Sequence, residues 1–237
     1  MPDYIPPPGH PCIKVVRSFA ELVATPFAHG VNALCWPRTL PGDFAEIITA
    51  LGTENEEPIV NLDDTRLNAL TLSAAGRAAR DVLLGDLQLL DTHGLAPVLN
   101  CIHAYPRDES ATAVPTDVYS FHADSAPVEA ATWLCTYYGP ASEGLRNEDA
   151  SRRVDAPATR AALLQEYGGQ DDADFREYLR DNCYDLHYAP APGAQPYSFG
   201  LGHLWRIAID WPGSPVPPCV HRAPATRPGE SRLLLIS

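Results

Sequence analysis

His122-Ala123-Asp124 sets an imidazole and a carboxylate at positions i and i+2. On an extended strand those positions share a face, so both side chains could grip one metal ion. The tripeptide alone is weak evidence, because a strand-end histidine beside a turn-forming aspartate reads the same way. A second histidine of chemical interest is His221, in the run CVHRAPATRPGESRLLLIS (219–237). Pro228-Gly229 is a turn signal between two strand-like segments. A hairpin closed there pairs Ala225 with Arg232 and His221 with Ile236, which puts His221 and Arg232 on one face. They would stand about 13 Å apart at ~3.4 Å per residue. An arginine reaching back could bring its guanidinium to a small dicarboxylate held by a metal at His221. Arginine suits that task because its planar fork binds a carboxylate bidentately. An ordinary hairpin with a solvated arginine fits the segment equally well.

Other residues draw less weight. Cys219 could face the same metal, although a packed thiol is the commoner state of such a residue. Ser120, two before His122, is placed to line a cavity. Arg206, between Trp205 and Ile207, is a candidate for holding a substrate or co-substrate carboxylate, with a surface ion pair as its ordinary alternative. His103, His187 and His203 have no second ligand at useful spacing. Trp133, Tyr137, Tyr138, Trp205 and Trp211 read as core aromatics.

The elements that must position these residues fall into two textures. Residues 1–12 form a Pro-rich arm, and 13–97 are mainly helical. DFAEIITAL (43–51) reads as a helix capped by Asp43 and stopped by Gly52. Apolar residues recur at helical spacing from Thr65 to Leu90, with Gly76 and Gly85 leaving room for two helices. After Pro97 short β-rich runs follow: VLNCIHAY (98–105), TDVYSFHAD (116–124) and TWLCTYYG (132–139). A polar insertion at about 141–200, with helices at 158–168 and 171–182, could act as a lid over the site. Strand texture returns at 203–211, 218–224 and 231–237. Helices first, then strands interrupted by an insertion, predict a single α+β domain over 1–237 with a sandwich or jelly-roll core at 98–237.

Composition excludes several classes. The chain has 237 residues, with 17 Lys+Arg against 30 Asp+Glu and a formal net charge of −13. An acidic surface repels phosphate, which argues against nucleic acid and anionic membranes as partners. No apolar run approaches the ~18 residues needed to span a bilayer, and the N-terminus shows no signal-peptide pattern. The six cysteines are widely scattered with no CxxC pair, as expected of reduced thiols in the cytoplasm. Oligomeric state leaves no signature.

Two histidines and one carboxylate are the ligand set of non-haem Fe(II) oxygenases. HxD on one strand, a histidine about a hundred residues on and an arginine eleven beyond it resemble the Fe(II)/2-oxoglutarate-dependent oxygenase superfamily. A closer resemblance is to the bacterial family called domain of unknown function 1826. It is carried by GVNALCWPRTL (30–40), FHADSAPVEAATWLCTYYGPASEGL (121–145) and HRAPATRPGESRLLLIS (221–237). The chain departs from that family's pattern at Glu129, where a basic residue is expected, and at Gly139-Pro140-Ala141-Ser142-Glu143-Gly144, where GPGTEW is expected.

The superfamily resemblance implies a double-stranded β-helix, with His122, Asp124 and His221 holding Fe(II) and Arg232 holding the distal carboxylate of 2-oxoglutarate. It further implies consumption of molecular oxygen and oxidation of a small-molecule substrate, such as an amino acid or natural-product intermediate. Halogenating relatives lack the carboxylate ligand, so Asp124 implies hydroxylation or a related oxidation. The rival reading is a cupin-like protein that handles zinc or nickel through the same three ligands, without oxygenase activity. In that reading Arg232 has no task.

Overall fold

The computed structural model describes residues 10–52, 57–108, 112–227 and 229–237. Most of the Pro-rich arm lies outside the described residues, as does Pro228 of the expected turn. Strand β1 (Ile13–Val15) leads to helix α1 (Phe19–Ala24), which starts where the Ser18 hydroxyl accepts the Glu21 N–H. After β2 (Ala33–Trp36) comes α2 (Phe44–Leu51), begun by Asp43 and ended by Gly52 at φ +71°. Then follow β3 (Ile59–Asn61), α3 (Asp64–Ala69) and α4 (Ala74–Thr92). The long apolar stretch is therefore two helices, because Ser73 caps a new start at the Gly76 N–H.

The strand-rich half supplies β4 (Val98–Ile102), β5 (Phe121–His122), β6 (Ala131–Tyr138), β7 (Glu143–Leu145) and β8 (Ala150–Arg152). Helices α5 (Pro157–Tyr167) and α6 (Ala173–Asp181) intervene. The chain then forms β9 (His187–Pro190), β10 (Tyr197–Ser198), β11 (Leu204–Ala208), β12 (Val220–Arg222) and β13 (Arg232–Ile236).

The described residues form an α+β fold with two sheets and six α-helices. The larger sheet has the order β1-β2-β11-β6-β13-β4-β3 and the smaller β10-β7-β12-β5-β9-β8. Alternation along the large sheet decides which side chains meet what. Leu99, Cys101, Trp133, Cys135, Tyr137, Leu233 and Leu235 face α1–α4 and build one core. Ile102, Leu134, Trp205, Ile207 and Leu234 face the small sheet and pack with Tyr197 and Cys219. Helices α5 and α6 close over a separate cluster of Val114, Val154, Leu163, Phe175, Leu179 and Tyr184. No helix among the described residues is long and apolar enough to cross a membrane.

Two sequence expectations change. Residues 13–97 contribute β1, β2 and β3 to the large sheet as well as four helices. Within the expected insertion, β7, β8, β9 and β10 supply four of the six strands of the small sheet, so the segment also builds the framework and is not an appendage to it.

The expected hairpin also does not form. β12 pairs with β5 and β7, whereas β13 pairs with β4 and β6. His221 lies opposite His122 and Gly144, and Ile236 opposite Val98 and Leu134. The physical reason is that RLLLI is buried on both faces, Arg232 to Leu235 all being inaccessible. Such a strand needs a neighbour on each side and a layer above and below, which the rim of a two-stranded hairpin does not provide. Residues 223–231 instead carry the chain from one sheet to the other.

Candidate metal centre

His221 and His122 are direct cross-strand partners, so their imidazoles leave the small sheet on the same face, with ring centroids 4.6 Å apart. Asp124 follows just past the end of β5. Its backbone carbonyl accepts the Asp210 N–H at 2.8 Å, and its Oδ2 accepts the Thr132 hydroxyl of β6 at 2.5 Å. The carboxylate is thus held from the opposite sheet. His122 Nε2 stands 4.0 Å from Asp124 Oδ1, and His221 Nε2 stands 3.6 Å from Asp124 Oδ2. One donor atom from each of the three residues falls within 4.8 Å of the others.

Both imidazoles are presented in the form a metal needs. His122 Nδ1 donates to the Ser120 carbonyl at 2.8 Å and His221 Nδ1 to the Cys219 carbonyl at 3.2 Å. A carbonyl only accepts, so the proton lies on Nδ1 and the Nε2 lone pair is free toward Asp124. Burial, aided by His221, pushes the His122 pKa down to about 4, which keeps the ring neutral. Burial opposes ionisation of Asp124, yet His221, the Thr132 hydroxyl and His122 outweigh it and hold the carboxyl below its ordinary value. Two imidazole nitrogens and one carboxylate fit a divalent ion, and ligand bonds of about 2.1 Å reach across both separations.

Arg232 approaches from the other sheet. Its side chain is wholly buried. Nε donates to the Pro140 carbonyl at 2.8 Å and Nη1 to the Tyr105 hydroxyl at 2.9 Å. Nη2 donates to Ser142 Oγ at 3.0 Å and Thr136 Oγ1 at 3.3 Å. None of these acceptors is anionic. Burial draws its pKa down from the ordinary arginine value, with Tyr105 and Tyr119 opposing. Arg232, Tyr105, His122, Asp124 and His221 all line one cavity of about 200 Å³, roofed by apolar side chains that include Val118 and Leu234.

The structure therefore brings together four of the five residues singled out by sequence. Arg206 lies on the other face of the large sheet, away from this cavity. Its Nη1 donates to the carbonyls of Leu22, Val23 and Thr25 at the end of α1. Cys219 is packed with its Sγ 3.7 Å from the Tyr197 hydroxyl, and burial pushes its pKa up to about 12.

Sequence reasoning missed two features. The segment 139–144 surrounds Arg232 and His221. Gly139 runs so close to β13 that a Cβ would lie 2.2 Å from the Ser231 carbonyl. Pro140 and Ser142 bond Arg232, and Gly144 pairs with His221. The second is His187, directly opposite His122 on β9, with ring centroids 5.7 Å apart. Burial, aided by Arg153, pushes its pKa to about 4, and its Nδ1 has no hydrogen-bond partner among the described residues. No spacing rule pointed to it, because only the strand register places it there.

Fold and site together define a two-sheet α+β protein with a candidate divalent-metal centre facing a buried arginine. Comparison of the chain with family models, curated proteins and solved structures found no match. The likeness to domain of unknown function 1826 thus rests on the residues quoted for it.

Proposed function

We propose that this chain is a non-haem Fe(II)/2-oxoglutarate-dependent oxygenase acting on a small molecule, with its two sheets as the halves of a double-stranded β-helix. The observation that carries the reading is Arg232, a fully buried guanidinium with only neutral partners, lining the same cavity as His122, Asp124 and His221. Burying a cation without an anion is costly, so a site that keeps one is built to receive a negative charge. A metal-handling protein for zinc or nickel would use the three ligands and leave that cost unexplained.

In this reading His122, Asp124 and His221 hold the metal. Thr132 fixes the Asp124 carboxylate, and the Ser120 and Cys219 carbonyls fix the two rings. Arg232, aided by the Tyr105 hydroxyl, receives the distal carboxylate of 2-oxoglutarate and so orients the co-substrate. Val118, Leu134 and Leu234 give the cavity an apolar lining beside the ligands. When bound, iron with 2-oxoglutarate and molecular oxygen supplies oxidation of a substrate C–H bond while the co-substrate is split to succinate and carbon dioxide.

The test is an anaerobic titration of metal-free protein with Fe(II) and then 2-oxoglutarate, following the weak visible charge-transfer band of the chelate. A band lost in His221→Ala supports the reading. Metal binding without any band would favour zinc or nickel handling, and no metal binding would overturn both.

A further inference from the structure

A cavity of about 430 Å³ lies on the face of the large sheet turned away from the metal ligands. Phe27, Trp133 and Trp211 give it an aromatic wall, and its charged lining residues are Arg206 and Glu129. On β6, Thr132 points to Asp124 while Trp133 points into this second cavity, so the sheet separates the two sites.

Arg206 is only partly used by the fold. Nη1 donates to Leu22 O at 3.3 Å, Val23 O at 3.0 Å and Thr25 O at 3.0 Å. The guanidinium carbon lies 4.7 Å from the Phe27 ring centre and 5.5 Å from that of Trp133. Nε is buried without a partner, and Nη2 makes no bond among the described residues. Elsewhere in this chain the same edge grips carboxylates. Arg160 holds Asp171 through Nε at 2.6 Å and Nη2 at 2.5 Å, and Arg222 holds Glu143 through Nε at 2.8 Å and Nη2 at 2.7 Å. Among the described residues no carboxylate forms an ion pair with Arg206, and Glu129 of the same cavity acts on it only over a longer distance. Nη2, neither bonded nor sealed off, is the donor this guanidinium can offer an incoming anion.

We propose that this cavity is a second binding site, specific for a small monocarboxylate with a flat aromatic body. The carboxylate sits on Nη2 of Arg206, and the ring lies among Phe27, Trp133 and Trp211. Glu129 opposes any added negative charge, and Arg206 is the one cation of the lining to answer it, so a second carboxylate is disfavoured and the site is set apart from one for a dicarboxylate.

Phenylacetate and its neutral counterpart phenylacetamide, titrated calorimetrically into the full chain, test this directly. Phenylacetate should bind at least about tenfold more tightly than the amide. Its affinity should be unchanged when a divalent metal and 2-oxoglutarate are saturating. Trp211→Ala should weaken both ligands, and Arg206→Lys should erase the preference for the acid. Equal affinities, no binding of phenylacetate, or displacement by 2-oxoglutarate would overturn the proposal. The acid–amide comparison is made in the unaltered protein, so it stands whether or not the Arg206 variant folds. It is equally independent of any oxygenase activity.

Discussion

Replacing Arg232 by methionine separates a receptor from a structural strut. The wild-type side chain makes four hydrogen bonds, to Pro140, Tyr105, Thr136 and Ser142. Each contributes about 1 kcal/mol net, or ~4 kcal/mol together. Three of the acceptors are hydroxyls that can turn to one another once the guanidinium is gone. Against that stands a desolvation penalty of several kcal/mol for a cation buried without an anion. The two nearly cancel, so metal-free Arg232→Met should unfold in urea within about 2 kcal/mol of wild type. Binding should respond very differently. Those four bonds leave one Nη1 N–H for a carboxylate; that charge-assisted bond contributes ~1.5–3 kcal/mol, so 2-oxoglutarate should bind roughly ten to two hundred times more weakly. Metal affinity should stay within about threefold, since Arg232 bonds none of the three ligands. A variant that unfolds far more easily than wild type yet binds 2-oxoglutarate normally would refute this reasoning.

Thr132→Val keeps the volume but removes the hydroxyl that fixes Asp124, and metal affinity measured by calorimetry should fall about 10- to 100-fold. His122 and His187 both have pKa values pushed to about 4 from an ordinary 6.5. Between those values the unfolded chain binds more protons than the folded one, so stability rises with pH across the window. The melting temperature of metal-free protein should therefore drop as pH falls from 6.5 toward 4, and a flat profile would contradict the burial of these rings. On the helix side of the large sheet, Asp86 pairs with Arg38 at 2.7 Å and accepts the Tyr137 hydroxyl at 2.6 Å. Asp86→Ala should destabilise by about 3–5 kcal/mol, because it strands a buried guanidinium. Adding Arg38→Met to that variant should recover most of the loss in denaturant titration.

Elements whose ends carry their own chemistry were legible in the sequence. Asp43 and Gly52 marked both ends of α2, and β6, β11 and β13 announced themselves through long β-branched, aromatic or apolar runs. The HxD pair and His221 were legible because the ligands had to be those residue types. Of the two- to four-residue strands, β5 and β12 fell within runs read as strands, and most of the others did not. β7, β9 and β10 owe their extended form to neighbours distant in sequence, and no local pattern of that length specifies a partner. The Pro228-Gly229 signal misled for the same reason. Turn chemistry fixes how a chain bends, whereas the burial of Arg232 to Leu235 on both faces decided which strands it joined. His187 became visible only through its register with His122.

The place of β13 in the large sheet bears on how the molecule comes together. β13 is the single link between β6 and β4, and it comes later in the chain than every strand of that sheet. During synthesis the β1-β2-β11-β6 block and the β4-β3 pair would each show an open edge until β13 slots between them, a pairing that reaches back about a hundred residues to β6 and further still to β4. Closing that gap is thus a slow, non-local step and the point at which a nascent chain is most exposed to mispairing. Because Arg232 begins the closing strand, its buried guanidinium reaches the cavity beside His122 and His221 only with the strand that completes the fold.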